Sequence, residues 1–128
     1  MKKRKTSAAF GIIGLGRFGM ALVECLSGAE KEVIAIDKDE NKVKEARRYT
    51  DYAFVVKSLD QETLEEVGMQ NCDTVVICIG EQVDISILTT MIVSNLKVPH
   101  VIAKASSPIH GEVLKRLGAV VVYPEWDM

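Results

Sequence analysis

Gly14-Leu15-Gly16-Arg17-Phe18-Gly19 restricts this chain more than any other segment, because the glycines fall at G-x-G-x-x-G spacing between an apolar run and a helical pattern. That spacing suits a strand turning sharply into a helix. The first glycine permits the turn, the second leaves bare backbone for a phosphate to approach, and the third lets helix and sheet pack closely. A phosphate there would meet free amides and the positive end of the helix dipole. The same glycines would also serve a tight turn without a ligand, so the triplet needs company. Asp37 supplies it, 18 residues after Gly19 at the end of the next apolar run, where a carboxylate accepts hydrogen bonds from ribose hydroxyls. An acid there also reads as a helix cap or a solvated loop residue. Strand, loop, helix and acid together select the nucleotide, and the carboxylate repels a 2′-phosphate, making NADP the poorer ligand. Arg17 either reaches a phosphate chain bidentately or stays an exposed helix residue; Lys38 either faces solvent or offers the ligand a cation.

The rest of the chain repeats the strand-then-helix pattern. Apolar runs predict strands over 9–14, 32–37, 52–57, 74–79, 100–104 and 120–123, with helices over 17–27, 40–50, 62–67, 85–96 and 108–117. The fourth run, Thr74-Val75-Val76-Ile77-Cys78-Ile79, does not alternate, as expected of a strand covered by helices on both faces. Asp39 and Asp60 are placed to cap the second and third helices. Gly28, Gly68 and Gly118 follow helices one, three and five, where a left-handed residue would end each. Right-handed crossovers then give a Rossmann-type doubly wound α/β fold, a parallel six-stranded sheet of order 3-2-1-4-5-6.

A chain of 128 residues, 48% hydrophobic and 27% charged, has room for one domain with a proper core. The expected division is a flexible basic tail over 1–7 and one nucleotide-binding domain over 8–128. A net charge of -2 with interspersed signs argues against nucleic acid as a partner. Cys25, Cys72 and Cys78 form an odd set without a C-x-x-C pair and read as reduced thiols of a cytosolic protein. Of the three, Cys25 and Cys78 sit among apolar neighbours, whereas Cys72 lies between Asn71 and Asp73. The basic run from Lys2 to Lys5 superficially resembles a signal peptide, but the apolar stretch behind it stops at Arg17 without a cleavage site. No stretch approaches the ~18 apolar residues of a membrane span, so any membrane role would come through a partner.

Taken together, several segments resemble the nucleotide-binding half of RCK domains (KTN or TrkA-N), the cytosolic regulators of Trk- and Ktr-type potassium transport. They are Ile12-Ile13-Gly14-Leu15-Gly16-Arg17-Phe18-Gly19, Ile36-Asp37, Val76-Ile77-Cys78-Ile79-Gly80, Ser86-Ile87-Leu88-Thr89-Thr90, Lys104-Ala105, and Leu117-Gly118-Ala119 with Tyr123-Pro124-Glu125. The resemblance implies a domain that binds ATP, ADP or NAD(H) and passes ligand state to a membrane potassium channel or transporter. Its subunits would form a homo-oligomer, a dimer or an octameric ring, at the inner face of the membrane. Gly14, Leu15, Gly16, Arg17, Phe18 and Gly19 correspond to the family's phosphate loop, and Asp37, with Lys38 beside it, to its ribose acid. Ile79 and Gly80 close the fourth strand; Lys104 matches a lysine near the ligand, and Glu125 a glutamate placed for a phosphate or divalent cation at a subunit boundary. One segment departs from the pattern. Lys57-Ser58-Leu59-Asp60 stands where the family has a small Gly, Asn or Asp pair followed by Ala or Ser and Thr, so Ser58 and Leu59 take the adenine side with altered contacts. The family's C-terminal ligand-sensing subdomain has no counterpart in this sequence, which reads as a truncated form or a naturally short subunit.

An enzyme is not expected. A dehydrogenase needs a substrate site and a proton-transfer group beside the nicotinamide, usually on a second domain. Tyr49, Tyr52 and Tyr123 lack a lysine four residues on, His100 and His110 read as surface or packing residues, and no cluster has zinc-ligand spacing. The alternative from another class is the cofactor domain of an NAD-dependent oxidoreductase. Between Ile85 and Leu96 there is no charge, and apolar residues spread beyond one helical face. Such a helix is either core or a subunit contact, and the contact is the reading preferred here.

Overall fold

The computed structural model describes residues 9–124. Strand β1 (Ala9–Ile13) leads into helix α1 (Arg17–Gly28), followed by β2 (Glu32–Asp37), α2 (Glu40–Ala46), β3 (Tyr52–Val55) and α3 (Gln61–Glu66). After a 3-10 turn at Met69–Asn71 come β4 (Thr74–Ile77), α4 (Val83–Asn95), β5 (His100–Lys104), α5 (Pro108–Arg116) and β6 (Val120–Val122). All pairings are parallel and the order is β3-β2-β1-β4-β5-β6, as predicted.

Period-2 alternation divides the core into two layers. Ile12, Ala35 and Val76 face a layer with Leu15, Val23 and Val43, so α1 and α2 cover that side. Their neighbours Ile13, Ile36, Val75 and Ile77 face the other, with Leu64, Val93 and Leu114 from α3, α4 and α5. Every residue of β4 is buried, which explains why its sequence does not alternate. The order reverses between β1 and β4, the place where doubly wound sheets open a crevice beyond their strand ends.

Several ends differ from the sequence reading. β1, β3, β4 and β6 stop earlier than expected, although Val56 N still donates to the Asp37 carbonyl (2.9 Å) and Cys78 N to that of Ile13 (2.8 Å), so sheet bonding outlasts the strand ends. α2 ends at Ala46 rather than near Thr50, and α4 starts at Val83, two residues before Ile85. Gly68 (φ 93°) and Gly118 (φ 97°) are left-handed as expected. Gly28 is not: it remains inside α1, Ala29 caps the helix, and Glu30 takes the left-handed conformation at φ 63°. Asp39 and Asp60 cap α2 and α3, and Ser107, which the sequence reading passed over, caps α5 by accepting from His110 N. The cysteines exchange places: Cys25 is exposed despite its apolar neighbours, while Cys72 is buried because the turn after α3 rolls it under β1 and β4.

Candidate functional site

The glycine loop separates its three tasks cleanly. Gly14 has φ +101°, and a Cβ there would stand 2.9 Å from the Cys78 carbonyl oxygen. A Cβ on Gly19 would collide with the Gly14 carbonyl, so this glycine lets α1 seat against the loop. At Gly16 a Cβ would meet nothing within 4 Å, since this position looks into open space. Gly16 is also the N-cap of α1 and offers no side-chain oxygen to the first-turn amides, unlike Asp39, Asp60 and Ser107. The α1 dipole and those amides are left for something outside the helix.

Asp37 shapes the loop as well as facing it. Its Oδ2 accepts from Leu15 N at 2.6 Å and its Oδ1 from Asp39 N at 2.8 Å. The carboxylate thus fixes the glycine turn to the end of β2. Each oxygen retains a lone pair that can still accept from a hydroxyl.

A cleft of about 940 Å³ opens over these strand ends. It gathers Gly14, Leu15, Gly16, Arg17, Phe18, Asp37, Lys38, Ser58, Leu59, Ile79, Gly80 and Lys104 from the sequence reading. Gly19 supports from behind the loop and does not line the cleft, while Glu125 lies outside the described residues, as does the basic tail. Gly80 and Lys104 are matched: a Cβ on Gly80 would stand 2.8 Å from Lys104 Cε, so the bare glycine lets the lysine stem cross it. Ser58 lines the wall but its hydroxyl donates to Asp60 Oδ2 at 3.1 Å; hydrogen bonds from Thr63, and then this one, lower the Asp60 pKa.

Sequence reasoning missed Lys42 as a site residue and took Lys57 only as a departure from pattern. Both line the cleft, and Lys57 Nζ donates to the Lys38 carbonyl at 2.9 Å, which brings its charge to the β2 end. The available signal was positional, since Lys38 and Lys57 follow strands at the end where the glycine loop also lies. Arg17, Lys38, Lys42, Lys57 and Lys104 face the cleft against Asp37 and Glu81, so a chain of net charge -2 presents a basic cavity. Gln82, Ile85, Leu88 and Thr89 of the α4 end complete the far wall.

Of the cysteines, Cys78 lines the cleft, and burial pushes its thiol up to about 12 despite the opposing pull of Lys104; Cys72, outside the cleft, is pushed up to about 11 by burial with help from Glu32. Neither is a nucleophile at neutral pH. His100 begins β5, at the opposite end of the strand from Lys104, and His110 is buried. Among the described residues, no group of three His, Cys, Asp or Glu is placed to hold a metal, and no helix is long and apolar enough to cross a membrane.

α4 divides the apolar residues that its sequence gathered, with Ile87, Ile92 and Leu96 packed against the core. Ser86, Thr89, Thr90 and Val93 are buried, whereas Leu88 is 55% and Met91 43% exposed.

A model of the TrkA-N domain matches residues 10–124. Ktr system potassium uptake protein C of Bacillus subtilis is 42% identical over 120 residues, and Ktr system potassium uptake protein A of Vibrio alginolyticus 38%. Each match takes in 93% of this chain and 54% of the relative, so the chain spans about half the length of these proteins. Among solved structures, the TrkA-N domain of the Escherichia coli inner membrane protein ybaL superposes with a TM-score of 0.83 at 18% identity, covering 97% of this chain and 93% of that one. The GsuK channel bound to NAD superposes at 0.76 and GsuK bound to ADP at 0.75, both 18% identical. The first match covers 94% of this chain and 22% of that one, the second 92% and 31%.

Proposed function

This chain belongs to the TrkA-N domain family, and on that premise we propose that it is the nucleotide-binding part of a cytoplasmic regulatory subunit of potassium transport. The ligand is an adenine nucleotide, ATP, ADP or NAD(H). The observation that carries this reading is the basic cleft at the reversal point, where an uncapped helix start and Asp37 meet at one loop. Gly16 and the first amides of α1 take the phosphates with Arg17. Asp37 takes the ribose, and Lys104 reaches the ligand from across Gly80. Leu59, Ile79 and Ile85 supply apolar wall for a base. The sequence similarity to Ktr potassium uptake proteins, together with NAD and ADP bound to GsuK, supports this assignment.

The chain is read as a sensor rather than an enzyme. His110 has both ring nitrogens engaged and the thiol of Cys78 stays protonated, so neither of these two residues serves a nicotinamide as a proton relay. The exposed Leu88 and Met91 of α4 support a subunit contact beside the cleft, because Leu88 also lines the cleft. A ligand that is held differently in two subunit arrangements would shift their balance, and hence the transporter. The test is titration with ATP, ADP, NADH and NADPH of the wild type, Asp37→Ala and Arg17→Ala. Weaker binding in both variants, with NADPH the poorest wild-type ligand, supports the reading; unchanged binding in both removes it. Nicotinamide-only binding with hydride transfer would instead favour the oxidoreductase alternative.

A further inference from the structure

His110 takes no part in the ligand contacts proposed above, yet its ring joins two parts of the cleft wall. It is 2% exposed, in the first turn of α5. Its Nδ1 accepts from Ser106 N at 3.1 Å, two residues beyond Lys104, and its Nε2 lies 2.9 Å from Ser86 Oγ. Ser86 is fully buried on α4, next to Ile85 and three residues from Thr89, both of which line the cleft. A backbone N–H can only donate, so Nδ1 is bare, the proton sits on Nε2, and Ser86 Oγ accepts it.

The tie acts at the start of α4. That helix begins at Gln82 without a side-chain cap, Ser86 is its first buried residue, and its fully buried apolar anchor, Val93, comes seven residues later. We infer that His110 is a positioning residue of the cleft: its neutral Nε2–H ring, oriented by Ser106, ties the α4 wall through Ser86 to the first turn of α5 and sets Ile85 and Thr89 relative to Lys104. This rests on the nucleotide reading of the cleft.

Three substitutions separate the two ends of the tie. Ser86→Ala removes the acceptor and keeps the ring. His110→Asn keeps an acceptor near the Nδ1 position for Ser106 N–H but falls short of Ser86. His110→Gln places an amide N–H near the Nε2 position and keeps a donor for Ser86. ATP affinity by calorimetry and amide exchange over 83–90 without nucleotide are measured for each. Ser86→Ala and His110→Asn are expected to weaken ATP about tenfold, as for one lost buried hydrogen bond, and to speed exchange over 83–90 more than in α1. His110→Gln should stay within about threefold of wild type. Wild-type affinity in Ser86→Ala and His110→Asn, or a loss in His110→Gln equal to that in His110→Asn, would overturn the inference. If the histidine variants fail to fold, Ser86→Ala alone decides it by the same two measurements. A wild type that binds no nucleotide would sink the nucleotide reading, and unchanged exchange over 83–90 in Ser86→Ala would then still overturn the tie.

Discussion

Helices α1 and α4 both begin at the cleft without a side-chain cap, but α4 buries three hydroxyl side chains along with its apolar ones. α1 turns Val23 inward, with Leu22 and Leu26 packed against the same core layer. α4 turns Ser86, Thr89 and Thr90 inward beside Val93, with Ile87, Ile92 and Leu96 packed against the other core layer, and leaves Leu88 and Met91 outside. The domain's own core accounts for α1 and for most of α4. It does not account for Leu88 and Met91, whose exposed halves would each gain about 1 kcal/mol on burial. The difference teaches that α1 meets the cleft with bare backbone, while α4 divides its apolar residues between the core and an exposed face that shares Leu88 with the cleft.

The comparison can be broken most sharply at the seat of α1. Gly19→Val drives side-chain atoms into the Gly14 carbonyl and should cost about 3 kcal/mol or prevent folding, read by urea denaturation. A loss below about 1 kcal/mol would show that α1 is free to shift. Next comes Arg17→Ala, exposed and so nearly neutral for stability, which should weaken ATP by roughly 10- to 100-fold through one lost charge-assisted contact. Equal loss of stability and affinity would deny α1 its ligand role.

Acid tests the α4 side. The groups bonded to the His110 ring are Ser86 from α4 and Ser106 from the β5–α5 loop, both uncharged, and burial lowers its pKa. At pH values between the lowered pKa and the ordinary value of about 6.5, the unfolded chain binds more protons than the folded one. Stability supplied by neutral His110 is present above pH ~6.5 and falls as the pH drops toward the lowered pKa. Thermal melts should show an acid-side decline that His110→Gln flattens. The smallest effect is expected from Leu88→Gln with Met91→Gln, which should alter domain stability by less than about 0.5 kcal/mol per site while shifting sedimentation toward monomer. Substantial unfolding would make that face core after all.

Most of the architecture was legible because each strand carries a local signal: apolar runs bounded by Asp39, Asp60 and Gly118, with the glycine loop fixing the first crossover. Strand ends were less so, since sheet hydrogen bonds at Val56 and Cys78 continue past the last strand residue and apolar pattern cannot show where pairing stops. Gly28 failed as a terminator because Ala29 satisfies the last carbonyls and Glu30 absorbs the left-handed turn. In the site, Asp37 and the loop were readable from spacing. Lys42 and the Ser86–His110 tie were not, since each depends on side chains that only the crossovers bring together. α4 showed its excess of apolar residues but not which side they would take, because its apolar residues ring the helix and leave its core-facing side undefined.

The central claim is that the bare first turn of α1 and the Asp37 carboxylate receive one nucleotide. Amide chemical shifts followed during ATP addition test it residue by residue. The account predicts the largest displacements at Gly16, Arg17, Phe18 and Asp37, with α3 nearly still. Displacements centred away from that loop, or none at saturating ATP, ADP and NADH, would contradict it.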